Sequence, residues 1–510
     1  MPAVAKALAI STNKRCGSIL VPVKPCSITT HGCGAAPLIG RCSIPWRRSE
    51  LTSKEISCSL RGIAISYTPE ATLGAYDKSY AEDRSYDAFM VEQRTCPDCS
   101  SAIPINKGFV TWCECGWNLA PSTPREPSTL LDTLYCRLGE RSGQSLFDEM
   151  MADSSLKSQW SLEKILALAL AATVYLMILV CFVTGIWLIY GVLVGMFFFP
   201  MLLVSALLLG FGALGVVLPQ KLERTALARD CFPELYALVD RTVRAAGSQR
   251  SVLIAIDSSF NANMGRYGWE QIPVMTLGLP LWFALEPLER VALIGHEIGH
   301  SVNGDNLRYT FFWSAVQTLS QWQRVFHPEY SSPNENPLYA LLRLPFYPLL
   351  LGLSGLAWLW LQILGTLSFR DSQRAEYLAD AVSAQCGGTQ AALNLQWKLL
   401  LSPICDEVTQ RIALERSEGF FELFEQMRKN VPAREFERLR LVSALSGTRL
   451  DHTHPLNAFR QRILQKTKVN VPAVNLEPSQ IAALEREIST LKPIIEKELL
   501  SRHRDSMYYG

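Results

Sequence analysis

From Ile165 to Gln220 the chain carries no Asp, Glu, Lys or Arg, a run bounded by Lys164 and Lys221. Crossing a hydrocarbon layer of ~30 Å takes about 20 helical residues, and uncharged helices of soluble cores rarely exceed ~14. The run therefore predicts two spans, with the turn between them expected near Thr184 to Gly191. Pro200 is expected inside the second span, where it should kink the helix. A second apolar run, Leu344 to Phe369 between Arg343 and Arg370, predicts one further span. Tyr309 to Val325, aromatic but interrupted by Gln317, Gln321, Gln323 and Arg324, is expected to cross with it or to insert deeply, with His327 to Pro337 as the turn. Charged residues make up only 19%, and the deficit is concentrated in these stretches. The expected class is a mainly α, multi-span membrane protein with the lipid bilayer as a partner. Lys157 and Lys164 precede the first span, and Lys221, Arg224 and Arg229 follow the second. By the positive-inside rule both flanks face the cytosol or its organellar equivalent, the cell membrane being the first expectation and an organelle membrane the second. A net charge of +2 gives no electrostatic reason for a nucleic-acid partner.

Residues 1 to 49 hold seven Lys or Arg, no acid and many Ser and Thr. That composition fits a transit peptide, and equally an unstructured leader or a chain that starts at Met90. The stretch TCPDCSSAIPINKGFVTWCECGWNL follows, with Cys96 and Cys99, then Cys113 and Cys115. Two close cysteine pairs at this separation have the spacing of a zinc ribbon, in which four thiolates hold a tetrahedral structural Zn²⁺. Gly108 and Gly116 suit tight knuckles, and no partner for such a ribbon can be read from it.

VALIGHEIGHSVNGD places His296, Glu297 and His300 as HExxH. Residues four apart share a helix face, so both imidazoles reach one Zn²⁺ while Glu297 stands beside the open position to activate a water. Two histidines leave a catalytic zinc one ligand short. Glu329, Glu335 and His327 lie in the Pro-rich turn, whereas Glu376 lies in FRDSQRAEYLADAVSA, a helical pattern directly after an apolar run. Asp380, one turn beyond Glu376, is expected to fix a ligand imidazole from behind.

HEIGHSVNGD, an apolar segment, RAEYLADA and THPLNAFRQRI together resemble the integral-membrane zinc metallopeptidases that include the HtpX heat-shock protease and the CAAX prenyl endopeptidase. The resemblance covers about residues 160 to 467. It implies a gluzincin: His296, His300 and Glu376 as zinc ligands, and Glu297 as general base. IDSSFNANMGRYGWEQIPVMTLGL resembles the strand, Asn-Ala and second strand ahead of the zinc helix. That implies an edge strand at Ile272 to Leu277 to which substrate backbone adds, with Asn261, Ala262, Val274 and Thr276 as substrate-binding residues. The resemblance also carries a His and an Arg at the separation of His454 and Arg460, as candidates for transition-state and substrate contacts. Pro455 suits a helix start, which lets His454 point out of that helix end. His452 is the nearer rival.

The expected organisation is a leader over 1–89, a zinc ribbon over 90–125, a linker over 126–160 and two transmembrane helices over 161–220. The zinc-helix half of a gluzincin-type α+β peptidase domain follows over 221–308, further membrane segments over 309–369, and the second half over 370–510. Helices are predicted over 222–246, with Pro233 as a point of division, and near 371–386, 389–401, 408–429 and 478–500. Strands are predicted at Val252 to Ile256 and Ile272 to Thr276. The expected activity is cleavage of protein or peptide substrates, themselves membrane-associated, with one catalytic and one structural Zn²⁺. The competing expectation is a catalytically inactive zinc-ribbon adaptor in the membrane. An intact Glu297 argues against it, because a vestigial site has no need of a water-activating base.

Overall fold

The computed structural model describes residues 92–105, 112–119, 130–152, 161–218, 221–222, 224–303, 306–327, 344–415, 419–445 and 454–509. The expected leader lies outside these residues, as do Gly108, Glu329, Glu335 and His452. The chain divides into two units at Val91, and all that follows concerns the second, Glu92–Gly510.

This unit opens with an antiparallel pair, β1 (Glu92–Thr95) and β2 (Ala102–Ile105). The stretch expected to be a linker contains a 23-residue helix, α1 (Leu130–Ala152). Its Leu146, Phe147 and Met150 are buried, a stripe at i, i+1 and i+4 that a linker would not need.

The charge-free run forms a helical hairpin. α2 (Leu162–Leu193) starts at Ser161, whose side chain accepts a hydrogen bond from the Lys164 amide, and runs for 32 residues. α3 (Met201–Leu214) has 14. The turn therefore falls at 194–200, not at Thr184 to Gly191. Pro200 is the N-cap residue of α3 and starts it instead of kinking it; its fixed φ suits a helix entrance, where no amide hydrogen is missed. The two helices meet closely: Ser205 Oγ donates to Gly185 O at 2.8 Å. Leu176, Leu179, Val183, Ile186 and Trp187 are exposed on the outer face.

α4 (Pro233–Ala245) begins at Pro233, so that residue opens a helix where division of a longer one was expected. Its first amides, Glu234 N and Leu235 N, are capped from a distance by the Glu487 carboxylate. Strands β3 (Leu253–Asp257), β4 (Ala262–Tyr267) and β5 (Ile272–Gly278) form a sheet of order β3-β5-β4, parallel between β3 and β5 and antiparallel between β4 and β5. Ile272 to Leu277 is thus the central strand, and the expectation of an edge there is overturned. Both rows of backbone groups on β5 are used: Val274 pairs with Leu253 and Gly265, and Thr276 with Ala255 and Asn263. The edge on the side of the zinc-helix motif is β4.

α5 (Leu279–Ala284) and α6 (Pro287–Asn303) follow, then α7 (Asn306–Phe326). α8 (Tyr347–Gly387) is one uninterrupted helix of 41 residues, about 61 Å long. The span expected over 344–369 and the helix expected over 371–386 are therefore a single rod. Lys164 at the start of α2 pairs with Asp371 of α8 at 2.9 Å. Between these helices Ala171, Val174, Ile178, Ala315, Leu319, Trp322, Ala357 and Leu364 form one apolar cluster, which seats α7 against α2 and α8. α2 and α8 are long and apolar enough to cross a membrane, and α3 is a shorter apolar helix.

The remainder is α9 (Thr389–Leu399), α10 (Ser402–Glu415), α11 (Phe420–Lys429), α12 (Ala433–Leu445), α13 (Asn457–Thr467), α14 (Pro478–Ser489) and α15 (Lys492–Tyr509). The patterns at 408–429 and 478–500 each resolve into two helices. Gly419 adopts φ +103°, which breaks the first. The main core joins α4, the sheet, α5, α6, the C-terminal third of α8 and α9 to α11, and is closed by Leu484, Ile488, Ile495 and Leu499 of α14 and α15.

Candidate active site

The site begins with two glycines. Gly295 and Gly299 lie four apart on α6, where a Cβ on Gly299 would meet Ala379 Cα at 2.8 Å and one on Gly295 would meet Cys386 Cβ at 3.0 Å. Their missing side chains let α6 lie almost backbone to backbone on α8. Ser383 Oγ fixes the register by donating to Ala292 O at 2.8 Å. This approach brings the side chains next to the glycines, His296 and His300, against Glu376 and Asp380, the latter pair one turn apart on α8.

His296 Nε2 and His300 Nε2 are 3.2 Å apart. Glu376 Oε2 is 3.6 Å from the first, and Glu376 Oε1 is 3.6 Å from the second. One donor atom from each of the three residues falls within 4.8 Å of the others. Behind them, His296 Nδ1 lies 3.1 Å from Asp380 Oδ1; an Nδ1–H donated to that carboxylate leaves the Nε2 lone pair facing its neighbours. Arg460 of α13 grips Asp380 bidentately, Nε to Oδ2 at 2.8 Å and Nη2 to Oδ1 at 2.7 Å, and its Nη2 is 3.4 Å from Glu376 Oε2. Gln396 of α9 donates to Asp380 Oδ2 at 3.1 Å. Arg460 is buried, so it stands behind the cluster and not in the open cleft where substrate contact was expected of it.

Glu297 is also buried, and burial pushes its carboxyl up to about 7, with Glu376 adding to the rise and His296, His454 and Arg460 opposing it. Burial, helped by His296, draws the His300 imidazole down to about 4, so that ring stays neutral and its lone pair free. His454 sits at the mouth: its side chain is 66% exposed and its Nδ1 is 2.9 Å from Glu376 Oε1. Helix α13 begins at Asn457, two residues beyond Pro455.

On the sheet, Asn261 is exposed and Ala262 buried at the start of β4, and Asn261 O accepts from Gly278 N at 2.8 Å. Val274 and Thr276 are buried in β5 with both backbone edges paired, so they have no free edge to offer a substrate. His327 is placed at the far end of α7 and joins none of these groups.

Two nitrogens and one carboxylate converge here, and Glu376 Oε2, though ion-paired with Arg460, is buried and accepts no hydrogen bond from any described group. Like a tautomer-fixed imidazole, a buried carboxylate whose two oxygens each face a ring nitrogen fits a divalent cation of N/O preference such as zinc. A second set of donors lies far off in sequence. Cys96, Cys99, Cys113 and Cys115 are all free, with their sulfurs within 4.8 Å of one another. Cys96 faces Cys115 at 3.6 Å and Cys99 faces Cys113 at 3.4 Å. Gly116, at φ +100°, makes the second knuckle. Next to Cys113, Trp112 Nε1 donates to Arg434 O at 3.2 Å and Arg434 Nη2 donates to Trp112 O at 2.9 Å, which fastens this module to α12.

Residues 231–468 match the model of peptidase family M48. This stretch is similar to the M48 metallopeptidases. It runs from the approach to α4 to the end of α13 and so contains every residue of the His296 cluster, while α1 to α3, the cysteine module, α14 and α15 lie outside it. No match was found among curated proteins or among solved structures.

Two contributors escaped the reading of the motifs. Gln396 is one, and nothing local distinguishes it from a solvent-facing glutamine. The Gly295/Gly299 pair is the other: a small residue every fourth position on an otherwise apolar helix signals close helix packing, and the signal stood inside GHEIG itself.

Proposed function

We propose that the chain is a membrane-embedded zinc endopeptidase acting on protein or peptide substrates, themselves membrane-associated, from the cytosolic face or its organellar equivalent, the cell membrane first. One observation carries the chemistry. Donor atoms of His296, His300 and Glu376 converge beside a buried Glu297 whose carboxyl is poised near neutrality.

In this reading His296, His300 and Glu376 hold the catalytic zinc, and Asp380, itself held by Arg460 and Gln396, orients the His296 ring. When bound there, the zinc ion acts as a Lewis acid on the scissile carbonyl. Glu297 takes a proton from the attacking water and hands it to the departing amine, which asks of it a pKa near the working pH. His454, exposed at the mouth, donates to the oxygen on which negative charge develops. A substrate backbone adds along β4, whose outer edge is unpaired among the described strands, with Asn261 and Ala262 at its near end. Cys96, Cys99, Cys113 and Cys115 hold a second, structural zinc. α2 and α8 cross the bilayer and α3 and α7 complete the bundle, so α8 carries Glu376 rigidly from the membrane into the site.

The test is Glu297→Gln in detergent-solubilised full-length protein, read by cleavage of fluorescein-labelled casein and by mass spectrometry of membrane proteins that accumulate uncut. Turnover should fall by about 10² to 10⁴ with zinc content unchanged. Undiminished cleavage would sink the mechanism.

A further inference from the structure

Helix α1 precedes the M48 domain by some eighty residues, yet it packs beneath the catalytic cluster. Leu146, Phe147 and Met150 of α1 form one buried apolar cluster with Tyr377 of α8 and Ile463 of α13. The Phe147 ring stacks on that of Phe459, with centroids 4.4 Å apart and planes at 22°. Tyr377 follows Glu376 directly in the chain, and Phe459 directly precedes Arg460. A single patch on α1 thus supports the two residues adjoining the ligand carboxylate and the arginine behind it. Polar contacts flank the patch. Glu149 pairs with Arg370 at 2.8 Å and with Arg374, and Lys466 of α13 donates to Met151 O at the C-terminal end of α1 at 2.6 Å. α1 is therefore bonded to both α8 and α13, which bear on each other through Arg460, Asp380 and Glu376.

We propose that Phe147 is a positioning residue of the site. By stacking on Phe459 it holds Arg460 against Asp380, and so keeps the His296 ring aimed; α1, outside the family domain, sets how tightly the His296–His300–Glu376 cluster binds a divalent cation. The inference rests on the metallopeptidase reading for the identity of that cation. The physical basis is that α13 reaches the site through one guanidinium. Charge-assisted bidentate contacts at 2.7 and 2.8 Å depend steeply on where the arginine's backbone lies. Removing the ring under Phe459 leaves a cavity into which α13 can shift.

Zinc affinity of full-length protein measured by chelator competition tests this, with the His300→Ala protein defining the contribution of the cysteine cluster. Phe147→Ala should weaken zinc binding about tenfold, at the low end of what losing an outer partner of a metal ligand costs. It should also lower kcat by a similar factor while KM stays within about threefold. Phe147→Leu, which keeps bulk but not the ring face, should fall between Phe147→Ala and the parent, and Phe147→Tyr should return to the parent. Leu484→Ala, a buried truncation in α14 away from the cluster, serves as the control: it should lower Tm comparably and leave zinc affinity unchanged. If Phe147→Ala does not fold, Phe147→Leu decides. Parental zinc affinity in the folded Phe147 variants, or equal weakening in Leu484→Ala, would overturn the proposal. A Glu297→Gln protein that still cleaves would instead remove the peptidase reading and leave the order of zinc affinities to be judged by itself.

Discussion

The two donor clusters of this chain gather metal-binding atoms by different means. Cys96 and Cys115 are 19 positions apart, and their cluster hangs on two four-residue strands and two knuckles. Its described buried apolar residues are Cys96, Ile103, Trp112, Cys113 and Leu119, with Trp117 against them. So small a core hardly offsets the entropy of ordering the module; in the function proposed above, a structural metal would supply what is missing. The His296 cluster draws its donors from α6 and α8, 76 positions apart (376 minus 300). Those helices are locked together by Gly295, Gly299 and Ser383, contacts that use none of the donor atoms. On that proposal one cluster would be organised by its metal, the other in advance of it. A closed set of four sulfurs suits structure, and a set of three donors with a buried base beside it suits chemistry.

Removing each metal should break the comparison open most widely. His300→Ala should lose one zinc and essentially all turnover while hydrogen-exchange protection persists through α6 and α8. Cys96→Ser combined with Cys113→Ser should lose the other zinc and abolish protection over 92–119, with turnover staying within about threefold. Zinc per chain by elemental analysis and exchange read by mass spectrometry settle both halves. The division between the clusters fails if protection over α6 and α8 collapses in His300→Ala, or if 92–119 stays protected without its zinc.

The same contrast governs what could be read from the residues. HExxH and the Cys pairs are short-range spacings, and a helix or a hairpin converts such spacings directly into geometry. The position of the turn near Pro200 was not legible, because in a charge-free run no polar residue marks where the chain reverses. The continuity of α8 was missed because the change at Phe369–Arg370 is one of environment, not of helix propensity. Strand order was misjudged at Ile272 to Gly278, although the signal was present: β5 is buried from Val274 onward on both faces, the pattern of a central strand and not of an edge. Arg460 was expected to meet substrate and faces Asp380 and Glu376 instead, since where an arginine on α13 points depends on α8, some eighty positions away.

A smaller effect sharpens the claim of prior organisation. Asp380 accepts from His296 Nδ1, from Arg460 twice and from Gln396. Asp380→Ala should weaken zinc at the histidine site about 10- to 100-fold and leave the cysteine site at parental affinity. It also leaves the buried Arg460 without its main counter-charge, so a drop in Tm is expected alongside. Gln396→Ala, removing one neutral donor, should act in the same direction but by less than about tenfold. Parental zinc affinity in Asp380→Ala would mean that packing of α6 on α8 alone aims the imidazole.

The smallest effect concerns protons at the histidine cluster. Burial raises the Glu297 carboxyl from 4.5 to about 7, which means that without a cation it holds its proton through much of the weakly acidic range. A base works only as carboxylate, so turnover must fall as pH drops through its pKa, at most tenfold per unit for one proton. A cation held nearby favours the charged form and lowers that pKa, placing the acid limb below 7 in the zinc-loaded protein but above the ordinary 4.5, because burial persists. His300, drawn down to about 4, is neutral across this window and adds no second proton to the limb. A profile of kcat between pH 5 and 8 should therefore show a single-proton acid limb with its midpoint between those limits. Glu297→Asp, which withdraws the carboxyl by one methylene, should shift that midpoint. A limb of two protons would point to ligand protonation and metal loss, and a flat profile down to pH 5 would mean that burial does not govern Glu297 once the site is filled.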